Sequence, residues 1–108
     1  MAKGSPPKPP HPGALIKLIR SLAKDGKIAW EYHAEHERMP ERGIDFADVL
    51  EVFRLGDIEG DITPGKKQGE WKCTVVGKLQ WTTREAGVVT VVAKKSRLIV
   101  VTTEWMDP

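Results

Sequence analysis

Hydrophobic residues in this chain recur every three to four positions as far as Gly56 and every two positions beyond it. That change of period constrains the fold more than any other feature. In the first half, Leu15, Leu18 (with Ile19) and Leu22 recur at helical spacing, with Lys17, Arg20 and Lys24 on other faces and a stop at Asp25-Gly26. Lys27–Tyr32 reads as a short extended segment. A second helical piece runs over Ala34–Met39, where Pro40 ends or kinks it by removing an N–H donor and restricting its predecessor. Asp45 is an N-cap, strengthened by Asp48 three residues on, and Phe46, Val49, Leu50 and Phe53 form one apolar stripe that Gly56 closes.

In the second half, Asp57–Thr63 alternates, with Ile58 and Ile62 set among polar or small residues. Glu70–Val76 and Leu79–Thr83 flank Gly77-Lys78, which reads as a tight hairpin, and the β-branched runs Val88–Ala93 and Leu98–Thr103 flank a second turn at Lys94-Lys95-Ser96-Arg97. Helices followed by strands predict an α+β domain: two to three N-terminal helices packed on one face of an antiparallel sheet of four to five strands. The opposite face of that sheet must be partly polar or covered by a partner. Five of the eight prolines fall within residues 1–12, which predicts a disordered Pro-rich tail over 1–12 ahead of a single domain over 13–108.

The net charge of +2 conceals a segregated pattern. The tail has Lys3 and Lys8 and no acid; residues 13–30 have four basic groups and one acid, 31–60 three and nine, and 61–108 eight and five. Binding to nucleic acid by bulk charge is therefore excluded, and any such site depends on where charge is placed. The strand region carries Lys66, Lys67, Lys72, Lys78, Arg84, Lys94, Lys95 and Arg97, interleaved with Trp71 and Trp81. Cations alternating with stacking groups on a sheet suit RNA, although lysines also gather at hairpin ends simply to keep strand edges soluble. Apolar runs of four to five residues are too short to span a membrane, and Met1–Pro7 has no apolar stretch of a secretory signal, so a cytoplasmic location is expected. The single cysteine, Cys73, sits in an apolar strand and reads as a buried thiol.

Chemistry concentrates in Tyr32–Ile44, where His33, His36, Arg38 and Arg42 stand among Glu35, Glu37 and Glu41. Imidazole is matched to proton transfer near neutral pH and guanidinium to phosphate. Cleavage of RNA through its 2′-hydroxyl needs these groups: a base, an acid and cations. A competing reading is a solvated, salt-bridged face in which His33 only caps or orients. His33, His36 and Cys73 lack the paired spacing of a metal site, so no metal and no other cofactor is expected.

Ile16–Ile19, Lys27-Ile28-Ala29-Trp30, His33-Ala34, Arg38-Met39, Glu41-Arg42-Gly43-Ile44, Val49, Gly56-Asp57-Ile58, and the closing Ile99-Val100-Val101-Thr102 with Asp107-Pro108 together resemble a bacterial family of small domains of unknown function. The resemblance spans roughly residues 15–108 and implies a toxin-like fold of the RelE superfamily, near the MqsR and BrnT toxins. These are metal-independent mRNA endoribonucleases of type II toxin–antitoxin systems, often encoded beside a zinc-finger antitoxin of the MqsA type. The matching positions are His33, Arg38, Arg42, Gly43 and Thr102. Two positions depart from the pattern: His33 and Arg38 are five apart instead of four, and Thr102-Thr103-Glu104-Trp105 replaces an ending that carries tyrosine.

The expectation is accordingly a hydrolase that cleaves mRNA to a 2′,3′-cyclic phosphate and is silenced by a cognate antitoxin. His33, His36, Arg38 and Arg42 are its candidate catalytic residues, and Lys72, Trp81, Lys94, Lys95 and Thr102 its candidate RNA-binding residues. The alternative is a non-catalytic protein- or RNA-binding module on the same fold.

Overall fold

The computed structural model describes residues 8–94 and 96–107; the tail expected over residues 1–12 lies outside them as far as residue 7. Helix α1 (Pro12–Lys24) leads into strand β1 (Ile28–Trp30), a π-helical turn (Ala34–Arg38) and helix α2 (Met39–Arg42). Helix α3 (Phe46–Leu55) follows, and then β2 (Asp57–Pro64), β3 (Glu70–Lys78), β4 (Glu85–Ala93) and β5 (Arg97–Trp105). The result is the α+β architecture expected: helices on one face of a five-stranded sheet, in the order β1-β5-β4-β3-β2. Strands β2 to β5 form an antiparallel meander, whereas β1 joins the edge parallel to β5 through Ile28↔Leu98 and Trp30↔Val100. No helix among the described residues is long and apolar enough to cross a membrane.

Local chemistry sets the helix boundaries. His11 caps α1 by accepting the Gly13 N–H at Nδ1 (3.0 Å), and Pro12 occupies the first turn, where its missing donor costs nothing. Gly26, at φ +71°, turns the chain out of α1. Asp45 and Asp48 form a reciprocal capping box at the start of α3, Asp48 N–H to Asp45 Oδ1 at 2.9 Å and Asp45 N–H to Asp48 Oδ2 at 3.1 Å.

The segment expected to be an α-helix over Ala34–Met39 is instead a π-turn, and it passes through Pro40 into α2. Ala34 and Met39 are both buried and lie five residues apart. An α-helix would leave them about 140° apart, too far to share the core. Widening by one residue brings both inward, with the Met39 N–H donating to the Ala34 carbonyl.

Facing the sheet, Leu15, Ile16, Ile19 and Leu22 of α1 and Val49, Val52 and Phe53 of α3 pack against Cys73 and Val75 of β3, Ala86, Val88 and Val92 of β4, and Leu98 and Val100 of β5. The stripe on α3 is rotated from the one expected: Val52 is buried, while Phe46 and Leu50 are 46% and 41% exposed. The hairpin expected at Gly77-Lys78 also lies elsewhere. β3 runs straight through both residues, and the chain reverses over residues 79–84, with the Leu79 N–H donating to the Arg84 carbonyl at 3.3 Å. Gly77 serves proximity, because a Cβ there would meet the Gly56 Cα at 3.2 Å. The second turn stands where expected, between Ala93 and Arg97.

Candidate nucleic-acid site

The exit of β1 builds the first part of the site. The Glu31 N–H donates to the Val100 carbonyl (3.0 Å), which ties the chain to β5 just before it enters the π-turn. Tyr32 then stacks on His36, with centroids 4.5 Å apart and planes at 28°, and stands edge-on to His33 at 6.0 Å. His33 donates from Nδ1 to Glu37 Oε2 at 2.6 Å, and His36 Nε2 lies 2.9 Å from Glu35 Oε2. Both imidazole side chains are largely exposed. A carboxylate on one ring nitrogen fixes the ring's orientation and leaves the other nitrogen to act on a ligand.

Arg38 and Arg42 lie further along the same segment and share one carboxylate. Arg38 Nη1 is 3.4 Å from Glu41 Oε2, and Arg42 Nη1 is 3.6 Å from Glu41 Oε1. The Arg42 backbone carbonyl accepts the Trp105 Nε1–H at 2.8 Å. The indole of Trp105 therefore fastens the end of β5 to α2. Arg84 lies 4.2 Å over the Trp105 ring and is paired with Asp107 at 3.0 Å. This Trp105–Arg84–Asp107 closure leaves no local signature in the sequence, because Arg84 is distant along the chain from Trp105 and Asp107.

The second part lies on the sheet face away from the helices. A cleft of about 460 Å³ has Val91, Ile99 and Val101 as its floor, Lys66, Lys67 and Lys72 along one side, and Glu31 on the other. The turn between β2 and β3 folds over this face because Glu70 holds it. The Glu70 carbonyl accepts the Gly65 N–H at 2.8 Å, and its Oε1 accepts the Lys67 N–H at 3.1 Å. Position 65 must be glycine, since a Cβ there would lie 2.5 Å from the Glu70 Cβ. Val101 is the extra residue of a bulge, for Val89 pairs with Thr102 and Thr90 with Val100.

Of the residues singled out in the sequence, Lys72 lies in the cleft, and Thr102 shares its face through its pairing with Val89. Lys94, in a left-handed conformation at φ +52°, rests beside Gly69 of the same β2–β3 turn. Lys95 lies outside the described residues. Trp81 is not with them: its Nε1–H donates to Asp48 Oδ1 at 2.8 Å on the helical side, and its ring stands edge-on to Trp105 at 6.1 Å. Lys66 and Lys67 are the cleft residues that sequence reasoning named as basic yet did not place in a site. The Gly65-Lys66-Lys67 run, with Glu70 three residues on, is the available signal.

No protein-family model, curated protein or solved structure matches this chain. Function must therefore be argued from the site alone. Its cleft offers lysines for phosphates and an aliphatic floor, and it ends at Glu31, two residues before His33. Among the described residues no three His, Cys, Asp or Glu side chains converge as metal ligands. Cys73 takes no part: it is buried, and burial pushes its thiol up to about 11, so it is protonated and unreactive at neutral pH.

Proposed function

We propose that this protein is a toxin-like mRNA endoribonuclease that works in the cytoplasm without a metal. Single-stranded RNA lies in the sheet cleft, with its phosphates on Lys66, Lys67 and Lys72 and with Thr102 and Lys94 on its flanks. One of His33 and His36 removes the proton from a 2′-hydroxyl, whose oxygen then attacks the adjacent phosphorus. The other protonates the departing 5′-oxygen, leaving a 2′,3′-cyclic phosphate and a free 5′-hydroxyl. Arg38 and Arg42 stabilise the charge that builds on the phosphorane. Affinity that rests on a few lysines of a nearly neutral body is modest, as a turning-over nuclease requires. The RelE-like relationship implied by the motif belongs to the same proposal, as does a silencing antitoxin, with a zinc-finger protein of the MqsA type the form the resemblance implies.

The observation that carries this reading is His33, oriented by Glu37 at 2.6 Å and placed two residues beyond the Glu31 wall of the lysine cleft. The test is incubation of the purified chain with a long mRNA in EDTA, beside a His33→Ala, Arg42→Ala double variant. Wild type is expected to yield fragments ending in 2′,3′-cyclic phosphate and the variant to leave the RNA whole. Equal integrity of the RNA in both would end the nuclease reading.

One observation favours a second reading. Each of His33, His36, Arg38 and Arg42 already faces a glutamate, which suits a non-catalytic binding module. Such a module would hold RNA or a protein partner on the same cleft, and RNA in a salt-sensitive way, without cutting it.

A further inference from the structure

The helical layer has an outer surface that neither the core nor the RNA reading uses. Between α1 and α3 runs a groove of about 650 Å³ lined by Arg20, Ala23 and Lys24 of α1 and by Ala47, Leu50, Glu51 and Arg54 of α3. Its floor is aliphatic and its rim is cationic. Leu50, which the apolar pattern of the sequence assigns to the core, is instead exposed here, so α3 is apolar on two sides: inward through Val49, Val52 and Phe53, and outward through Leu50. A helix with apolar residues on two faces is expected to bury both.

The charge of the rim selects the occupant. Lys24 and Arg54 have no carboxylate partner within 4.0 Å among the described residues, and Arg20 is engaged by the exposed Asp57 at 3.3 Å and by the Gly56 carbonyl at 2.9 Å. Lys17 extends the row along α1, since residues 17, 20 and 24 share one helical face. The groove's single acid, Glu51, is occupied in accepting the Gln80 N–H at 2.7 Å. The lining has no aromatic ring on which a base could stack, and a trough between two packed helices has the shape that a third helix fills.

We infer that the α1–α3 groove is the docking site for an acidic amphipathic helix of a partner protein. The partner's aliphatic ridge lies on Ala23, Ala47 and Leu50, and its carboxylates meet Lys24, Arg54 and Arg20. The site is on the opposite side of the sheet from the lysine cleft, so it stands or falls independently of the RNA reading.

The probe is a fluorescein-labelled synthetic helix of about 20 residues, some 30 Å long, with Leu and Ala on one face and Glu along both flanks. A second peptide replaces every Glu with Gln, and a labelled oligouridylate serves as the nucleic-acid arm. Fluorescence anisotropy should show the acidic helix binding the full chain at least about tenfold more tightly than the Gln helix at low salt, with the difference shrinking as salt rises. Leu50→Asp, and separately the pair Lys24→Glu with Arg54→Glu, should each weaken the acidic helix by about tenfold or more, while Lys78→Glu, a charge reversal on β3 away from the groove, leaves it unaltered. All four positions are solvent-exposed, so thermal unfolding of these variants should stay close to wild type. Equal binding of the two peptides, or equal loss in the Lys78 variant, would overturn the inference. So would oligouridylate affinity that falls in the Lys24, Arg54 variant while peptide binding does not, because the groove would then be a nucleic-acid surface.

Discussion

Ala34 and Met39, five residues apart and both buried, are joined by a hydrogen bond from the Met39 N–H to the Ala34 carbonyl. The π-turn that this bond closes accommodates one residue more than an α-helical turn between its two buried anchors. A one-residue expansion of a helix is commonly found at functional sites. Here it presents His33, His36 and Arg38 on an exposed turn while its two anchors stay in the core.

Removal of one exposed residue from this turn should therefore be tolerated. With Glu37 deleted, Ala34 and Met39 stand four apart, a spacing that an ordinary α-helix brings to one face. The variant should unfold within about 5 °C of wild type, a change of about 1 kcal/mol or less for a domain of this size. Deletion of Leu50 from α3 is the contrasting case, for it turns Val52 and Phe53 away from Val49 and should abolish cooperative unfolding. A Glu37 deletion that unfolds the domain would show that the π-turn is required in its own right.

Gly56 and Gly77 lie backbone to backbone where α3 passes into β2 alongside β3. A Cβ on Gly56 would lie 2.4 Å from the Val76 carbonyl oxygen and 2.7 Å from that of Val52, and a Cβ on Gly77 would lie 3.2 Å from the Gly56 Cα. Gly56 has φ −86° and ψ −179°, which any residue adopts, so it is the lack of a side chain that matters. Gly56→Ala should cost roughly 3 kcal/mol or more, because backbone must move to relieve the clash, and Gly77→Ala roughly 1–2 kcal/mol. Urea unfolding of the two variants measures this, and the order of the two effects is the sharper part of the prediction.

Those glycines also show where a sequence stops being legible. Gly77 beside Lys78 has the look of a turn, yet the same residue type serves close packing, and only the partner at Gly56 distinguishes the two uses. Capping is local, so Asp45 with Asp48 and Asp25 with Gly26 could be read directly, as could the change of period at Gly56 and the turn after Ala93. The parallel pairing of Ile28–Trp30 with Leu98–Val100 joins opposite ends of the chain and leaves no local signature. The site divides in the same way. The His–Arg segment is contiguous and was visible, whereas the cleft depends on Lys66 and Lys67 folding over Val91 and Ile99, residues distant in the chain. Leu50 matched the apolar period but lies outside the core, because periodicity records a helix's apolar positions without saying how many partners share them.

The buried thiol of Cys73 predicts a loss of stability in alkali. Desolvation raises its pKa from 9.0 to about 11 in the folded protein. Below pH 9 both folded and unfolded chains keep the proton and the thiol adds no pH dependence. Between pH 9 and 11 the unfolded chain releases it first, so stability falls as pH rises, by on the order of 2–3 kcal/mol once both forms are ionised. Urea midpoints of wild type and Cys73→Ala at pH 8 and pH 10.5 isolate this from lysine and tyrosine titration, since only wild type should show the additional loss. Identical losses in both would mean that the thiol titrates normally.

Asp48 makes the most closely specified prediction. Only 8% exposed, its carboxylate accepts the Asp45 N–H through Oδ2 and the Trp81 indole N–H through Oδ1 at 2.8 Å. Trp81→Phe removes one donor and leaves a nearly buried carboxylate oxygen without its partner, which should cost about 1–3 kcal/mol. Asp48→Ala loses that bond and half of the capping box, with a penalty of similar or larger size. In the double variant the two penalties should not add, because the indole bond can be lost only once, and a coupling of about 1 kcal/mol or more is expected from the cycle. The same variants bear on RNA. Trp81 is fastened to the helical side, across the sheet from Lys72, so Trp81→Phe should lower stability while RNA affinity stays within about twofold, well under 1 kcal/mol. A Trp81→Phe protein as stable as wild type but weakened for RNA would reverse the assignment, making the exposed indole a base-stacking residue and its bond to Asp48 incidental.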